Sequence, residues 1–338
     1  MRKAFLHIGV QKTGTTTIQA FMAKNRLALR ERGFYYPAAP GEQNHVGLTL
    51  MLGAGRDDLY DLLPMAGIDP GSDLAAYSRQ MLSRLASGFE KSGCQTMVLS
   101  NEHLSSRIEA EESIAALRSY LLGIVDNVEI AVYLRRQDEV VLSEYSTRVQ
   151  VGYTECFELL PHHLVNYNYA ALLDRWAAVF GRDCITIRLF EKDSFVGGDL
   201  ITDFLQTIQC SYDDKFIPVP HQNIGLDVDC LEYLRRLNRI LPAFIDGRPN
   251  AERADIVPQL AIISKGEKPR FSGTEASEIL HHFEKSNRDV ASRYLDRVDG
   301  VLFSRSPDQS AENNFTAPDN DLPMRVSAAL WRLLHGFQ

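Results

Sequence analysis

Residues 5–19, FLHIGVQKTGTTTIQ, decide the fold. Phe5, Leu6 and Ile8 form a short apolar run that reads as a buried strand. It breaks at Gly9 into a tight turn holding Lys12 and Gly14, and Thr15, Thr16 and Thr17 then lead into an amphipathic helix. A strand that feeds a Gly/Thr turn at a helix N-terminus makes an anion cradle. Backbone N–H groups converge there, the helix dipole favours negative charge, and hydroxyls with one lysine complete the shell. The expected occupant is a phosphate or a sulfate.

An ATP-type phosphate loop has the pattern G-x-x-x-x-G-K-[ST], with lysine directly after the second glycine. Gly9 and Gly14 keep that glycine spacing, but Thr15 stands where the lysine belongs and Lys12 lies inside the loop. The stretch Gln11-Lys12-Thr13-Gly14-Thr15-Thr16-Thr17 resembles the 5′-phosphosulfate loop of sulfotransferases that use 3′-phosphoadenosine 5′-phosphosulfate, usually Pro-Lys-Ser-Gly-Thr-Thr-Trp. It departs at the proline, at the serine (to Thr13) and at the tryptophan. A second stretch, VEIAVYLRRQDEVVLSEYSTR at 128–148, reads as a buried strand running into another helix. In that family an arginine at such a strand end and a serine eight residues later bind the cofactor's 3′-phosphate. Arg135 and Ser143 stand at that spacing, and Tyr145 matches a frequent aromatic two residues on. A guanidinium supplies a bidentate, permanently charged clamp and the serine adds a hydroxyl donor. Arg136 and Gln137 replace the usual Asn-Pro, which leaves either arginine open as the clamp.

The resemblance covers residues 4 to about 210. It implies an α/β fold, a parallel β-sheet flanked by helices in the P-loop NTPase-like arrangement of sulfotransferases, with a helical C-terminal part. It also implies 3′-phosphoadenosine 5′-phosphosulfate as donor, adenosine 3′,5′-bisphosphate as product, and binding through Gln11, Lys12, Thr13, Gly14, Thr15, Thr16, Thr17, Arg135 and Ser143. The layout is similar to bacterial carbohydrate sulfotransferases, so the expected acceptor is a hydroxyl of a glycan, a glycolipid or a small metabolite. The rival classes are a P-loop nucleotide kinase, against which the missing lysine after Gly14 counts, and a non-catalytic nucleotide-binding protein.

Sulfuryl transfer needs a positioned donor, charge stabilisation at the bridging oxygen and a base for the acceptor hydroxyl. Its transferred group carries less charge than a phosphoryl, so no metal is required by the chemistry, and none is expected. Lys12 is the natural stabiliser of the leaving oxygen. Glu102 follows the strand at 96–99 and is the first choice of base; its structural alternative is a helix cap or an ion pair with Arg135 or Arg136. His45 is the runner-up and His103 comes third.

Composition fits this reading. The 338 residues carry a net charge of −8, with 45% hydrophobic and 24% charged residues, which argues against a nucleic-acid partner. Cysteines 94, 156, 184, 210 and 230 are scattered without C-x-x-C spacing, as expected of reduced thiols. His162 and His163 are adjacent, as are His281 and His282, and neither pair shares a helix face as metal ligands would. No apolar run reaches the length of a signal-peptide core or a membrane span, and a cytoplasmic location is expected.

Four strands (at 5–8, 96–99, 128–134 and 185–190) alternate with helices of crossover length, which predicts the parallel sheet; Phe34–Tyr36 add a short edge strand. The expected organisation is one sulfotransferase domain over 1–303, with a lid-like helical insertion at 38–92 and a helical C-terminal part at 199–300 that contains a basic loop at 265–273. A polar linker at 304–323 precedes an amphipathic C-terminal helix at 324–338, a possible homodimer contact.

Overall fold

The computed structural model describes residues 1–53, 57–69, 71–220, 225–245, 248–315 and 321–335. The chain divides into two compact units that are interleaved in sequence. The first comprises 1–135, 165–223 and 285–304, and the second 136–164, 224–284 and 305–338.

In the first unit the strands are β1 (Lys3–His7), β2 (Phe34–Tyr35), β3 (Thr96–Ser100), β4 (Asn127–Leu134) and β5 (Ile185–Leu189). They form one sheet in the order β2-β3-β1-β4-β5, and every pairing is parallel. The parallel α/β expectation holds. Strands buried on both faces need near-continuous apolar sequence, and β3 and β4 have it: TMVLS is wholly buried, as are the last five residues of NVEIAVYL. In β5, ITIRL, at the edge, one residue of five is buried.

The crossovers are α1 (Thr15–Lys24), α2 (Arg26–Glu31), α3 (Gly47–Leu52), α4 (Leu74–Ser92), α5 (His103–Arg107) and α6 (Glu111–Leu122). After β4 come α7 (Gln137–Gln150), α8 (Pro161–Asn166) and α9 (Tyr169–Phe180), and after β5 comes α10 (Leu200–Thr207). On one face of the sheet, Ile18, Phe21 and Met22 of α1 and Phe204 and Leu205 of α10 pack with Phe5, Val98 and Tyr133. The sequence pattern predicts one helix over 15–32, but the structure breaks it at Asn25. That amide donates to the carbonyls of Phe21 and Ile217, each at 2.9 Å, and accepts the N–H of Ile217 at 2.8 Å. The side chain thereby caps one helix and anchors a distant loop.

The insertion after β2 builds a small apolar cluster of its own from Val46, Leu50, Leu59, Leu62, Leu63 and Ile68. In the second unit α7 packs with α11 (Val228–Leu237), α12 (Ile256–Ile263), α13 (Gly273–His281) and α15 (Leu322–Leu334) around Tyr145, Val149, Leu231, Leu234, Leu260, Leu322 and Val326. A two-stranded hairpin, β6 (Phe244–Ile245) with β7 (Arg248–Pro249), completes it. The sequence pattern predicts one helix over 274–296, but the structure has two, α13 and α14 (Glu284–Tyr294), with buried Phe283 in the break. Residues 305–315 carry no helix or strand but belong to the second unit, where Asn313 bonds Glu275 and Phe315 packs on Phe271, and 316–320 and 336–338 lie outside the described residues. No described helix is long and apolar enough to cross a membrane.

Candidate functional site

Adjacent parallel strands end at one edge, so the segments leaving β1, β3 and β4 emerge side by side. The sheet ladder runs on past β1 and fixes where its loop starts: Ile8 donates to Ala131 O and Val10 to Tyr133 O, each at 3.0 Å. Lys12 and Gly14 then adopt left-handed backbone, φ +62° and +74°, which curls the loop into a turn. Gly14 is the N-cap of α1 and offers no side chain to the helix end, so the first-turn amides have no side-chain cap. A Cβ at Gly14 would come 2.3 Å from Leu200 Cδ2 and fill the close-packed underside of the turn. The Thr13 hydroxyl donates to Val10 O at 2.6 Å and braces the loop from within. Thr15 and Thr17 are buried, and Thr16 is half-buried at the helix start.

The loop is held from two sides. Arg135, one residue past β4, donates from Nη1 to Lys12 O at 3.0 Å, and its guanidinium lies 5.3 Å from the Phe190 ring centroid. Tyr169 Oη donates to Arg135 O at 2.6 Å. On the other side Gln11 Nε2 donates to Ser106 Oγ at 3.1 Å. Permanent positive charge is thus built into the wall of the turn.

Glu102 sits directly against this turn. Gly9, at φ +103°, passes so close that a Cβ there would lie 3.0 Å from both Cα and Cβ of Glu102. The Glu102 carboxylate accepts two side-chain amides on the same oxygen: Gln19 Nε2 at 2.7 Å and Asn44 Nδ2 at 3.1 Å from Oε2. Glu102 occupies the N-cap position of α5, but its side chain makes no cap bond there. Among the described residues it forms no ion pair with Arg135 or Arg136. Asn44 Oδ1 and both ring nitrogens of His103 are buried with no hydrogen-bond partner. Burial pushes the His103 pKa down, opposed by the nearby Glu102 charge and reinforced by Arg107. Buried polar atoms without a partner are uncommon in folded proteins.

The structure corrects the expectation for His45. Its ring is fully buried, Nδ1 accepts the Ser100 N–H at 3.0 Å, and Nε2 donates to Pro37 O at 2.9 Å. It packs against Tyr36, the ring centroids 4.5 Å apart and the planes tilted by 37°, and burial pushes its pKa down to about 3. An imidazole with both nitrogens committed to backbone has none left for an acceptor hydroxyl. His45 ties the insertion to the exit of β3, helped by Asn101, whose Nδ2 donates to His45 O at 3.0 Å and Thr49 Oγ1 at 2.7 Å.

Ser143 lies on α7 in the second unit. In that unit Arg136 is bidentate on Asp138, Nε to Oδ1 at 2.7 Å and Nη2 to Oδ2 at 2.9 Å, so its guanidinium is spent on an internal pair. Arg270 of the basic loop pairs with Glu267 at 2.7 Å. A cavity of 670 Å³ there is walled by Arg136, Asp138, Arg270, Phe271, Ser272 and Asp308, among others, and none of Lys12, Glu102 and Arg135 lines it.

The second unit also brings together what the histidine spacing missed. His162 Nε2 and His163 Nε2 lie 3.2 and 3.5 Å from the same oxygen of Glu144, so three metal-capable groups converge from α7 and α8. The local bonding opposes a metal: His163 Nδ1 accepts the Leu160 N–H at 3.0 Å. A neutral ring accepting at Nδ1 carries its proton on Nε2, the atom that would have to ligate.

No family model matches the chain. It is 23% identical over 202 residues to an uncharacterised protein of Archaeoglobus fulgidus, covering 59% of this chain and 53% of that protein, so the match spans about half the relative's length. Among solved structures it is similar to a sulfotransferase from Alicyclobacillus acidocaldarius: 15% identity, 84% of this chain and 95% of that one covered, TM-score 0.43. It is also similar to a structure of the PezAT chromosomal toxin–antitoxin system of Streptococcus pneumoniae: 13% identity, 84% and 87% covered, TM-score 0.29. At these scores the chemistry has to be read from the site's own residues.

Two of those residues escape a motif reading. Gln19 and Asn44 belong to no phosphate-binding pattern. The available signal for Gln19 was a polar side chain set between Ile18 and Ala20 in a helix whose neighbours are apolar and buried. Asn44 carries no comparable signal, because the insertion's path over β3 is set by tertiary packing.

Proposed function

We propose that this protein is a sulfotransferase that moves the sulfuryl group of 3′-phosphoadenosine 5′-phosphosulfate to a hydroxyl acceptor, a glycan, glycolipid or small polar metabolite. The observation that carries the reading is the juxtaposition at Gly9: a carboxylate packed against an uncapped anion turn that has its lysine inside the loop. A nucleotide kinase needs its lysine at the helix start, where this chain has Thr15.

The residues fit such a donor. The first-turn amides of α1 and the Thr16 hydroxyl are suited to the 5′-phosphate, Arg135 adds fixed charge beside the loop, and Lys12 would neutralise the leaving oxygen. In the reaction the acceptor oxygen forms a bond to sulfur as the bridging S–O bond breaks. The acceptor proton passes to Glu102, and adenosine 3′,5′-bisphosphate leaves with the bridging oxygen.

Calorimetric titration tests the proposal. Adenosine 3′,5′-bisphosphate is expected to bind without Mg²⁺ and ATP with Mg²⁺ to bind far more weakly; the reverse preference rejects the sulfotransferase reading in favour of a kinase.

A further inference from the structure

Resting on the reading of Glu102 as the base, we infer that Gln19 and Asn44 are positioning residues that clamp one carboxylate oxygen and leave the other to face the acceptor. Both amides donate to Oε2, at 2.7 and 3.1 Å, and neither reaches Oε1. Their orientation is fixed by charge, because turning either amide over would set its carbonyl against an anionic oxygen. Bonds from N–H to an ionised oxygen are stronger than neutral ones, so two of them on one atom fix the plane of the carboxylate.

The two clamps come from different places. Gln19 is buried on α1, five residues after Gly14, hence roughly 7.5 Å along the helix whose first turn forms the anion cradle. The same Nε2 also donates to Ser100 Oγ at 3.3 Å, and Ser100 Oγ lies 2.8 Å from His7 Nδ1 inside the sheet. Asn44 comes from the insertion, next to His45, which is itself anchored to β3. One rigid helix therefore sets both the seat of the donor and the aim of the base. The separation between leaving oxygen and base is built into α1 rather than left to a loop. Losing such alignment costs rate without costing ground-state affinity.

The test follows release of adenosine 3′,5′-bisphosphate from 3′-phosphoadenosine 5′-phosphosulfate, with transfer to water and to methyl glucoside measured separately. Gln19→Leu is expected to lower kcat by roughly ten- to a hundredfold and to leave the Kd of adenosine 3′,5′-bisphosphate within about twofold. Asn44→Ala should do the same more weakly. Placed on Glu102→Gln, Gln19→Leu should add less than about a twofold loss, since it acts through that carboxylate. Gln19→Asn keeps the amide but draws it back by one methylene. It should reproduce the kcat loss at an unchanged melting temperature, and it decides the matter if Gln19→Leu unfolds. A full further loss in the Glu102→Gln background, or an equal fall in nucleotide affinity, overturns the positioning role. A Glu102→Gln enzyme that keeps its kcat overturns the base assignment instead, which separates the two failures.

Discussion

Gly9 sets the spacing between the turn after β1 and Glu102, and a side chain there would be strained. Its φ of +103° is costly for any side chain, and the atoms a Cβ would meet are the Cα and Cβ of Glu102, which cannot swing aside as a side-chain tip can. Gly9→Ala is expected to lose about 1–3 kcal/mol of stability in urea unfolding, and the folded fraction should also lose turnover. A variant that unfolds earlier yet keeps full kcat would show that the contact matters to the fold alone. Lys12 should behave differently. On the proposed reaction, ground-state binding would be shared with several amides, whereas charge on the leaving oxygen would grow only as the bond breaks. Lys12→Ala should therefore cut kcat by at least about a hundredfold and weaken adenosine 3′,5′-bisphosphate by less than about tenfold. Matching losses in the two measurements would make Lys12 a plain phosphate anchor.

The exit of β3 shows how much an element's sequence reveals. Strands β1, β3 and β4 were legible because burial on both faces demands continuous apolar runs, and the turn after β1 because left-handed backbone favours glycine. That Glu102 lies just past a strand end was legible too. The role of His45 was not. A histidine beside two tyrosines and a proline suggests chemistry, and only the fold reveals that Ser100 N–H and Pro37 O take both its nitrogens. Likewise the helix break at Asn25 depends on a loop near residue 217 that lies far away in sequence. Such polar bonds between distant segments leave no periodicity to read. His45→Ala is therefore predicted to cost stability, about 2–4 kcal/mol by denaturant unfolding, through a lost buried ring and two lost hydrogen bonds. Its kcat, measured on the folded fraction, should change by less than about threefold; a loss near that of Glu102→Gln would return the histidine to the reacting groups.

Across the whole molecule, buried histidines tie stability to acidity, His7 and His45 foremost among them. Burial pushes both His7 and His45 down to about 3, well under the ordinary 6.5. Between those values the unfolded chain takes up protons that the folded chain refuses, so stability falls as pH drops through that window, by up to about 1.4 kcal/mol per pH unit for each ring. The urea midpoint should be clearly lower at pH 5 than at pH 7, and the difference should shrink in His45→Ala; an unchanged slope in that variant would exclude His45 as a source. The interleaving of the two units carries a consequence for biosynthesis. The apolar cluster of the second unit draws on Tyr145 and Val149 early in its span and on Leu322 and Val326 near the chain's end. At translation rates of roughly 5–20 residues per second, the first of these leaves the ribosome on the order of ten seconds or more before the last. Through that interval the nascent α7 has its apolar stripe without its final cover, whereas the strands of the first unit's sheet have all been made by Leu189. Chaperone dependence during synthesis should accordingly concentrate on the second unit, and a chain stopped at residue 304 would leave it open for good.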